Sequence, residues 1–292
     1  MVYFIGMDRK FYLTADVFGM CGGVHAALKV LEGLLTLPDR DVFVFHELVH
    51  NHSVTESFIR QGVTFAASIE EIPNGATLVI GAHGVSPKVE AALRARAGKC
   101  LDATCPLVKK LHHIADSLTD SEQLILFGKA GHPEVDGVAG HSGTRHLYLI
   151  SSPDEADDLP AMDNPVFISQ TTVDHDEVEK TLLKLRKRFP NLKECSGICD
   201  ASKKRQAAVI KLAEKVECVI VIGSNHSSNA KRLREIAERA GAAAFLIDNA
   251  SMLTGEILNF SSIGITSGAS TPQYLFDEVT AALEAHGFAK GN

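Results

Sequence analysis

Residues 124–135 have the sequence LILFGKAGHPEV, which contains the pattern that decides the fold. Four large apolar residues lead into a loop of small and polar residues, and a proline follows where a helix can begin. Short strands that are apolar throughout are typical of the buried centre of a parallel sheet. The stretch therefore predicts a buried strand, a polar loop and a helix, in that order.

The same pattern occurs four times along the chain, which indicates an internal repeat. The other copies are TLVIGAHGVSPKV from Thr77, VIVIGSNHSSNAKRL from Val219 and IGITSGASTPQYL from Ile263. In three copies a polar residue precedes Pro87, Pro133 or Pro272, as expected for a capping residue followed by the first helical position. Strands that alternate with helices in this way predict an α/β fold.

Further segments fit the same class of fold. We predict strands at six apolar runs, which are Val42–Phe45, Thr77–Ile80, Leu124–Phe127, Val166–Ile168, Val219–Ile222 and Ala244–Ile247. Two apolar stripes at helical spacing predict helices, and their residues are Val24, Leu28, Leu31 and Leu35 in the first and Leu107, Leu111, Ile114 and Leu118 in the second. Asp174 with Glu177 predicts a capped start for a helix Glu177–Arg188.

Composition narrows the class of protein. The chain has 292 residues, of which 45% are hydrophobic, and this is too apolar for a disordered protein. No apolar run approaches the ~18 residues of a membrane helix, and no basic flank with an apolar stretch marks a signal peptide. We therefore expect a cytoplasmic protein with no membrane partner. The net charge of −7 argues against nucleic acid as a general partner. Length alone suggests two domains at about 150 residues each.

The six cysteines form two groups of three. A reducing compartment argues against disulfides, so each cysteine is an inert core residue, a reactive thiol or a metal ligand. Cys21, Cys105 and Cys199 each precede a predicted helix, where the helix dipole and free N–H groups favour a thiolate. Cys100, Cys195 and Cys218 do not share this position, and we predict that they are not ligands.

The kind of site that the three helix-start cysteines form stays open at this point. Without CxxC spacing, zinc, an iron–sulfur cluster and a reactive thiol are all compatible with them. Three protein ligands would leave one metal position open, as catalytic sites do.

Polar side chains follow the predicted strands, where open α/β sheets bind ligands. Hydrogen-bond donors at helix starts favour an anion such as phosphate or diphosphate. The candidate residues are His50, His83, His132, Ser227, Ser228, Asn229 and Ser270. Any one of them taken alone could be a helix cap or a structural histidine. The GxxxxGK[ST] and GxGxxG phosphate-binding motifs are absent from the chain.

Two further loops carry candidate catalytic groups. Glu134 stands two residues after His132 and is a candidate proton donor, although an acidic residue in a first helical turn also complements the helix dipole. Thr171 and Thr172 follow the predicted strand Val166–Ile168, where a hydroxyl group could reach the same pocket or simply belong to a turn.

Taken in order, these residues resemble the family of 4-hydroxy-3-methylbut-2-enyl diphosphate reductases, also called IspH or LytB. The matching motifs span nearly the whole chain, and DATCPLV and GHPEV are the most specific. In chain order they are CGGV at Cys21, HELVHN at His50, AHGVS at His83, DATCPLV at Cys105, GHPEV at His132, QTT at Thr171, NHSSN ending at Asn229 and GAS at Ser270.

The resemblance implies an architecture and a cofactor. Three similar α/β modules with mostly parallel sheets would form a trefoil around a central iron–sulfur cluster. We place the modules at residues 23–104, 105–195 and 196–286, with the N-terminal segment 1–22 carrying Cys21. Cys21, Cys105 and Cys199 would hold a [4Fe–4S] cluster, whose open iron would bind the substrate as an alkoxide.

The resemblance also implies a reaction, the reductive dehydroxylation of (E)-4-hydroxy-3-methylbut-2-enyl diphosphate to isopentenyl and dimethylallyl diphosphate. This is the last step of the non-mevalonate isoprenoid pathway. The seven candidate anion-binding residues would hold the diphosphate. Glu134, Thr171 and His132 would be catalytic, with Glu134 delivering protons and Thr171 positioning the hydroxyl group. The implied electron donor is a flavodoxin, or a ferredoxin with its reductase.

Two runs depart from the family pattern beside proposed cluster ligands. Residues 17–20 are VFGM where the family has a Pro-Arg-Gly run, and residues 202–204 after Cys199 are SKK where the family has Thr-Thr-Asn. Two alternatives therefore accompany the reductase hypothesis. One is an iron–sulfur hydro-lyase that uses the open iron without net electron transfer, and the other is a non-catalytic redox or ligand sensor.

Overall fold

Three parallel β-sheets, each with helices packed around it, form the fold. The structure is a computed structural model that describes residues 10–36, 41–195 and 197–291. The chain divides into two compact units, of which one is Cys21–Ser202 and the other contains the residues up to Met20 and from Lys203 onwards. Two sheets lie in the first unit and the third lies in the second. The predicted α/β class with three parallel-sheet modules is confirmed.

The elements follow one another in a regular alternation. In chain order the described strands are β1 (Phe11–Thr14), β2 (Val42–Phe45), β3 (Thr64–Ala66), β4 (Thr77–Ile80), β5 (Lys99–Asp102), β6 (Gln123–Phe127), β7 (Leu147–Ile150), β8 (Pro165–Ser169), β9 (Lys193–Glu194), β10 (Cys218–Ile222), β11 (Ala243–Ile247), β12 (Ser262–Ser267) and β13 (Ala289–Lys290). The described helices are α1 (Gly22–Leu35), α2 (His52–Arg60), α3 (Pro87–Arg96), α4 (Pro106–Asp116), α5 (Pro133–Gly140), α6 (His175–Arg188), α7 (Asp200–Ala213), α8 (Ser228–Arg239), α9 (Gly255–Leu258) and α10 (Gln273–Ala285).

The three sheets share one strand order. They run β3-β2-β4-β5, β7-β6-β8-β9 and β11-β10-β12-β1-β13. If the strands of each sheet are numbered along the chain, with β1 counted last in the third sheet, the first strand lies between the second and the third. The fourth strand lies on the other side of the third. The third sheet takes its fourth strand, β1, from the N-terminal end of the chain, where Phe11 pairs with Ser262. The internal repeat predicted from the sequence is therefore a repeated sheet topology, while the exact module limits stay predictions.

Both faces of the second sheet are covered, which explains why its central strands are apolar throughout. Ile125 and Phe167 pack on one face with Leu182 of α6. Leu124 and Leu126 pack on the other face with residues of α4 and α5. A strand buried on both faces favours a continuous apolar run over an alternating one.

Most of the predicted elements are confirmed, and their ends need small corrections. All six predicted strands exist, four of them one or two residues longer than predicted. Helix α6 begins at His175 instead of Glu177, because the Asp174 carboxylate caps the N–H of Asp176 at 2.8 Å.

The prediction that Pro272 takes the first helical position of α10 was wrong in detail. Thr271 donates its hydroxyl to Ile222 O at 2.8 Å instead of capping α10, and Pro272 takes the capping position.

Two residues of the predicted apolar stripes are wrong. Leu34 is buried in α1 where we predicted Leu35. In α4 the side chain of Leu107 is 43% exposed, while Val108 and Leu111 are buried. In the first turn of α4, Val108 therefore faces the core in place of Leu107. Of the described helices, none is long and apolar enough to cross a membrane.

We predict that Leu111→Ala destabilises the protein and Leu107→Ala does not. Leu111 is 3% exposed in a packed core, so its truncation should cost about 2–5 kcal/mol. Leu107 lies on the same helix, and its exposed side chain makes it a matched control with an expected cost below ~1 kcal/mol. Equilibrium denaturation with urea measures both values, and equal effects would contradict the burial described here.

Candidate active site

In the first unit, the predicted polar site residues follow pairs of neighbouring strands. From the two strands of each pair, the chain continues towards opposite edges of the sheet. β2 and β4 are neighbours in the first sheet, as are β6 and β8 in the second. The helices after β6 and β8 pack on opposite faces, so the chain leaves the two strand ends in opposite directions. Such a switch point leaves a crevice that binds ligands. His50 and His83 follow β2 and β4, and His132 and Thr171 follow β6 and β8.

The three helix-start cysteines have a different but equally regular position. Cys105 follows β5 and Cys199 follows β9, each the fourth strand of its sheet. Cys21 follows β1, which is the fourth strand of the third sheet. The repeat therefore places one cysteine after the same strand of every sheet.

All three cysteines lie at helix starts, as predicted. The sulfur of Cys21 accepts the N–H of Val24 at 3.5 Å, and Cys105 is the capping residue of α4. The sulfur of Cys199 accepts the N–H of Ser202 at 3.3 Å and lies 3.1 Å from the Ser202 hydroxyl oxygen. Hydrogen-bond donors thus lie next to the sulfurs of Cys21 and Cys199.

Gly23 lets two of these thiols approach each other. A Cβ atom at Gly23 would lie 2.7 Å from the Cys105 sulfur and 3.9 Å from the Cys21 sulfur. A side chain at Gly23 would therefore displace the Cys105 sulfur, whereas its distance from the Cys21 sulfur would be an ordinary van der Waals contact. Cys199 is also near enough to Cys105 for their charges to interact.

The expected thiolate is not stabilised at Cys105 by the protein alone. Burial raises the pKa of Cys105, and it outweighs the N–H groups of Leu107 and Val108, which lower that pKa. Negative charge on Cys21 or Cys199 would raise it further. The helix start therefore contributes in the predicted direction, but burial has the larger effect on this thiol.

The other three cysteines have ordinary structural positions. Cys218 is fully buried in β10, and burial raises its pKa to about 12. Cys100 lies in β5, and Cys195 packs at the edge of the core of the second sheet. All six cysteines are free thiols, as expected for a chain without a disulfide framework.

His50, His83 and His132 form a cluster. The rings of His50 and His83 stack with centroids 4.1 Å apart. His132 meets both rings edge-on, at 5.5 Å from His50 and 5.6 Å from His83. Loops from two different sheets thus bring three imidazoles into one group, which we call the histidine triad.

Burial keeps two members of the triad neutral. It lowers the pKa of His83 well below the usual value, and the neighbouring His50 and His132 lower it further. Burial also lowers the pKa of His132 to about 4, with smaller contributions from His50 and Lys129. These two rings therefore offer neutral hydrogen-bonding groups near pH 7.

Glu134 is a buried carboxyl held by Thr171. It is 2% exposed. Thr171 donates its N–H to Glu134 Oε1 at 2.6 Å and its hydroxyl to Oε2 at 2.8 Å. The N–H of Glu134 is donated to His132 Nδ1 at 3.2 Å, and Thr171 O accepts the N–H of Cys199 at 3.2 Å. One chain of hydrogen bonds therefore connects the triad, the carboxyl and a cysteine loop.

The carboxyl of Glu134 can carry a proton near neutral pH. Burial raises its pKa to about 7, although the two hydrogen bonds from Thr171 and the charge of His50 lower it. A group with this pKa can gain and lose a proton under physiological conditions, which general acid catalysis requires.

Thr172 takes a supporting role instead of a place in the site. Its hydroxyl oxygen accepts from Gln170 Nε2 at 3.1 Å, while Gln170 Oε1 accepts the N–H of Lys129 at 3.1 Å. Gln170 is 2% exposed, so it ties the loop after β8 to the loop after β6.

The remaining candidates lie in the second unit, at the switch point of the third sheet. Ser227 caps α8 and accepts the N–H of Ala230 at 3.3 Å. Ser228 and Asn229 begin that helix, and Ser270 lies in the loop after the neighbouring strand β12. Asn229 is 5% exposed, and its Nδ2 is a buried donor with no partner among the described residues. An unpaired buried donor at a helix start is what an anion site requires.

Sequence reasoning missed two residues that contact the predicted site. Glu47 Oε2 lies 2.5 Å from His50 Nδ1, and Ser202 contacts the sulfur of Cys199. Each stands three residues from its partner, which is a usable signal only when the local backbone is known. The loop of Glu47 turns at His46, which has a φ of 57° that no pattern in the sequence indicates.

Comparison with known proteins identifies the family. The family model described as LytB protein matches residues 13–284. The chain belongs to the LytB family. A relative from Leifsonia xyli, named 4-hydroxy-3-methylbut-2-enyl diphosphate reductase, is 43% identical over 96% of this chain and 85% of its own length. A relative with the same name from Escherichia coli is 40% identical over 94% of this chain and 90% of its own length.

A solved structure of the LytB family has the same fold. The E-1-hydroxy-2-methyl-but-2-enyl-4-diphosphate reductase from Plasmodium falciparum superposes with a TM-score of 0.90 at 29% identity. The match covers 97% of this chain and 92% of that chain.

The thiols of this chain fit the iron–sulfur cluster that LytB proteins bind. Thiolates are the usual ligands of such clusters, and the bare backbone of Gly23 leaves room for the Cys105 sulfur. Among the described residues, no group of three or more His, Cys, Asp or Glu side chains could hold a single metal ion.

We predict that Glu134→Gln changes the pH dependence of stability. In the unfolded chain Glu134 ionises near its ordinary pKa of 4.5, whereas the folded value is about 7. The native protein therefore loses stability as the pH rises from about 4.5 to about 7, by on the order of 3 kcal/mol. The Gln variant lacks this loss, so its melting temperature relative to the native protein should rise over that interval.

The matched control for this measurement is Asp136→Asn. Asp136 lies in the same first turn of α5 but is exposed, so its substitution should leave the pH profile unchanged. If the Glu134→Gln profile were parallel to that of the native protein between pH 5 and pH 8, the assignment of a buried, protonatable Glu134 would be wrong.

Proposed function

We propose that this chain is a 4-hydroxy-3-methylbut-2-enyl diphosphate reductase. It removes the allylic hydroxyl group of (E)-4-hydroxy-3-methylbut-2-enyl diphosphate with two electrons and two protons. The products are water and either isopentenyl or dimethylallyl diphosphate, as in the last step of the non-mevalonate isoprenoid pathway. The observation that best supports this function is Glu134, a buried carboxyl with a pKa of about 7 beside the histidine triad.

The histidine triad binds the diphosphate in the first unit. Two neutral rings can donate N–H groups to phosphate oxygens without the cost of burying three like charges next to one another. In the second unit we propose diphosphate binding for Ser227, Ser228, Asn229 and Ser270. The unpaired Nδ2 of Asn229 is the observation that supports it there.

Glu134 delivers the protons. Hydroxide is a poor leaving group, and a proton from the carboxyl allows it to leave as water. Thr171 donates to both carboxylate oxygens of Glu134, so it fixes the carboxyl and places its own hydroxyl beside the site of proton transfer. His132 anchors the N–H of Glu134, which couples diphosphate binding to the position of the acid.

Cys21, Cys105 and Cys199 hold the cofactor, which we propose to be a [4Fe–4S] cluster. With three protein ligands, a cluster of four irons has one iron open to the substrate. When bound, it supplies the electrons one at a time and an electrophilic iron for the hydroxyl oxygen. The electrons come from a flavodoxin, or from a ferredoxin with its reductase.

An anaerobic assay tests the function. The purified protein should oxidise a reduced dye only when the hydroxylated diphosphate is present. Glu134→Gln should lower kcat by roughly 10²–10⁴ because it removes the proton donor, whereas Asp136→Asn should not. Turnover of the substrate without any reductant would contradict the reductase and favour a hydro-lyase. Ligand binding without turnover, unchanged in Glu134→Gln, would favour a sensor.

A second prediction separates the two groups of cysteines. Cys105→Ser should abolish the visible absorption of the anaerobically purified protein, because a hydroxyl group is a poor ligand for iron in place of a thiolate. Cys218→Ser should keep that absorption, since Cys218 is buried in a strand. The reverse pattern of absorption would refute the ligand assignment.

A further inference from the structure

A β-turn places Lys129 next to His132 of the histidine triad. Lys129 O accepts the N–H of His132 at 3.2 Å, and the third residue of the turn, Gly131, has a φ of 72°. A positive φ at this position is typical of a type II turn, in which the Cα atoms of the first and fourth residues are less than about 7 Å apart. The function proposed above uses His132 but gives no role to the lysine at the other end of its turn.

The backbone of Lys129 is fixed, while its side chain is free to reach a ligand. The N–H of Lys129 is donated to Gln170 Oε1 at 3.1 Å, and Gln170 is buried. Both backbone polar groups of Lys129 are therefore bonded, one to the loop after β8 and the other to His132. Lys129 itself is exposed, so its flexible stem can direct the ammonium group towards a ligand of the triad.

The ammonium group of Lys129 has no carboxylate partner among the residues that the structure describes. Other lysines of the first unit are paired. Lys109 Nζ lies 2.6 Å from Asp102 Oδ2, and Lys184 Nζ lies 2.8 Å from Asp154 Oδ1. A lysine without such a partner is available to an anion that binds next to it.

The charge of Lys129 acts on one side of the triad. It lowers the pKa of His132. Apart from burial, the groups that shift the pKa of Glu134 are Thr171 and His50. Lys129 is therefore close to the imidazole of His132, but it does not contribute to the pKa of the proton donor.

Two of the three rings in the triad bring no positive charge to a bound diphosphate. Burial keeps His83 and His132 neutral, so these rings supply hydrogen bonds alone. A diphosphate carries several negative charges, and hydrogen bonds to an anion are strongest when the donor is also charged. An exposed lysine at the rim of the triad supplies such a donor and stays hydrated before the ligand binds.

We propose that Lys129 is a further diphosphate-binding residue, whose ammonium group donates a charge-assisted hydrogen bond to a phosphate oxygen held by the histidine triad. The type II turn sets the distance between Lys129 and His132, and the exposed side chain makes the contact when the anion binds. This inference rests on the proposed function, because it takes the triad as the binding site of the diphosphate. It assigns Lys129 to binding, while proton transfer belongs to Glu134.

Calorimetry with inorganic diphosphate and the anaerobically purified protein tests this role. Lys129→Gln removes the charge, so the dissociation constant should rise about five- to tenfold at low ionic strength, as expected for the loss of one charge-assisted hydrogen bond. The difference should shrink at high ionic strength, because salt screens an exposed ion pair. Lys129→Arg keeps the charge and should restore most of the affinity.

The substrate assay separates a loss of binding from a structural effect on the turn. Loss of the charge should appear as a higher KM, while the pH profile of kcat, which follows Glu134, should keep its position. If Lys129→Gln instead lowered kcat and shifted this profile, the bond between His132 Nδ1 and the N–H of Glu134 would have been disturbed. That result would overturn the proposal, because Lys129 would then be a structural residue of the turn.

The matched control is Lys99→Gln, which removes the same charge elsewhere in the first unit. Lys99 is exposed at the start of β5. Because β5 is parallel to β4, Lys99 lies at the edge of the first sheet opposite to the loop of His83. This variant should bind diphosphate as the native protein does. Equal affinities for Lys129→Gln and Lys99→Gln would contradict the role of Lys129, as would a Lys129→Arg variant that binds as weakly as Lys129→Gln.

Failure of the native protein to bind inorganic diphosphate would have a different meaning. It would refute the anion site of the proposed function and, with it, the role of Lys129. Binding that is unaffected by Lys129→Gln would refute the role of Lys129 alone and leave the proposed function in place. The affinity of the native protein therefore distinguishes the two failures.

Discussion

The two hydrogen bonds from Thr171 to Glu134 are the interaction on which the first unit's site depends. They join the ends of β8 and β6, and they hold a carboxyl that is almost fully buried. Without such donors, an ionised carboxyl would cost so much free energy in this buried position that the group would be protonated instead. Here burial and hydrogen bonding oppose each other, and the result is a pKa of about 7. The carbonyl group of Thr171 also accepts the N–H of Cys199, so the same residue connects the acid to a cysteine loop.

The repeated strand order explains why the functional residues are found where they are. In each sheet the first and third strands are neighbours, and the loops after them carry the polar candidates. The fourth strand is followed by a cysteine in all three cases. Because this topology occurs three times, one sequence signal, an apolar run that leads into a polar loop, is enough to select most of the candidate site residues. The strands β3, β5, β7 and β9 were not predicted because they are short and partly exposed, so they lack that signal. β1 (FYLT) was missed for a related reason, since its apolar run is brief although it pairs on both sides.

The contacts that tune the site could not be predicted to the same extent. The side chains of His50, His83 and Glu134 belong to motifs, but their contacts depend on loop conformation. Glu47 reaches His50 only because His46 is left-handed, and Ser202 reaches Cys199 only because a helix begins between them. The expected thiolate at Cys105 shows the same limit. The helix start was predicted correctly, but the burial that outweighs it depends on the tertiary structure.

Burial determines the charge of two of the three clustered histidines. His83 and His132 lie where burial favours the neutral ring, whereas His50 lies at the rim, next to a carboxylate. His50 also lies close enough to Glu134 to lower its pKa. The loops that bring the three rings together therefore also moderate the effect of burial on the acid.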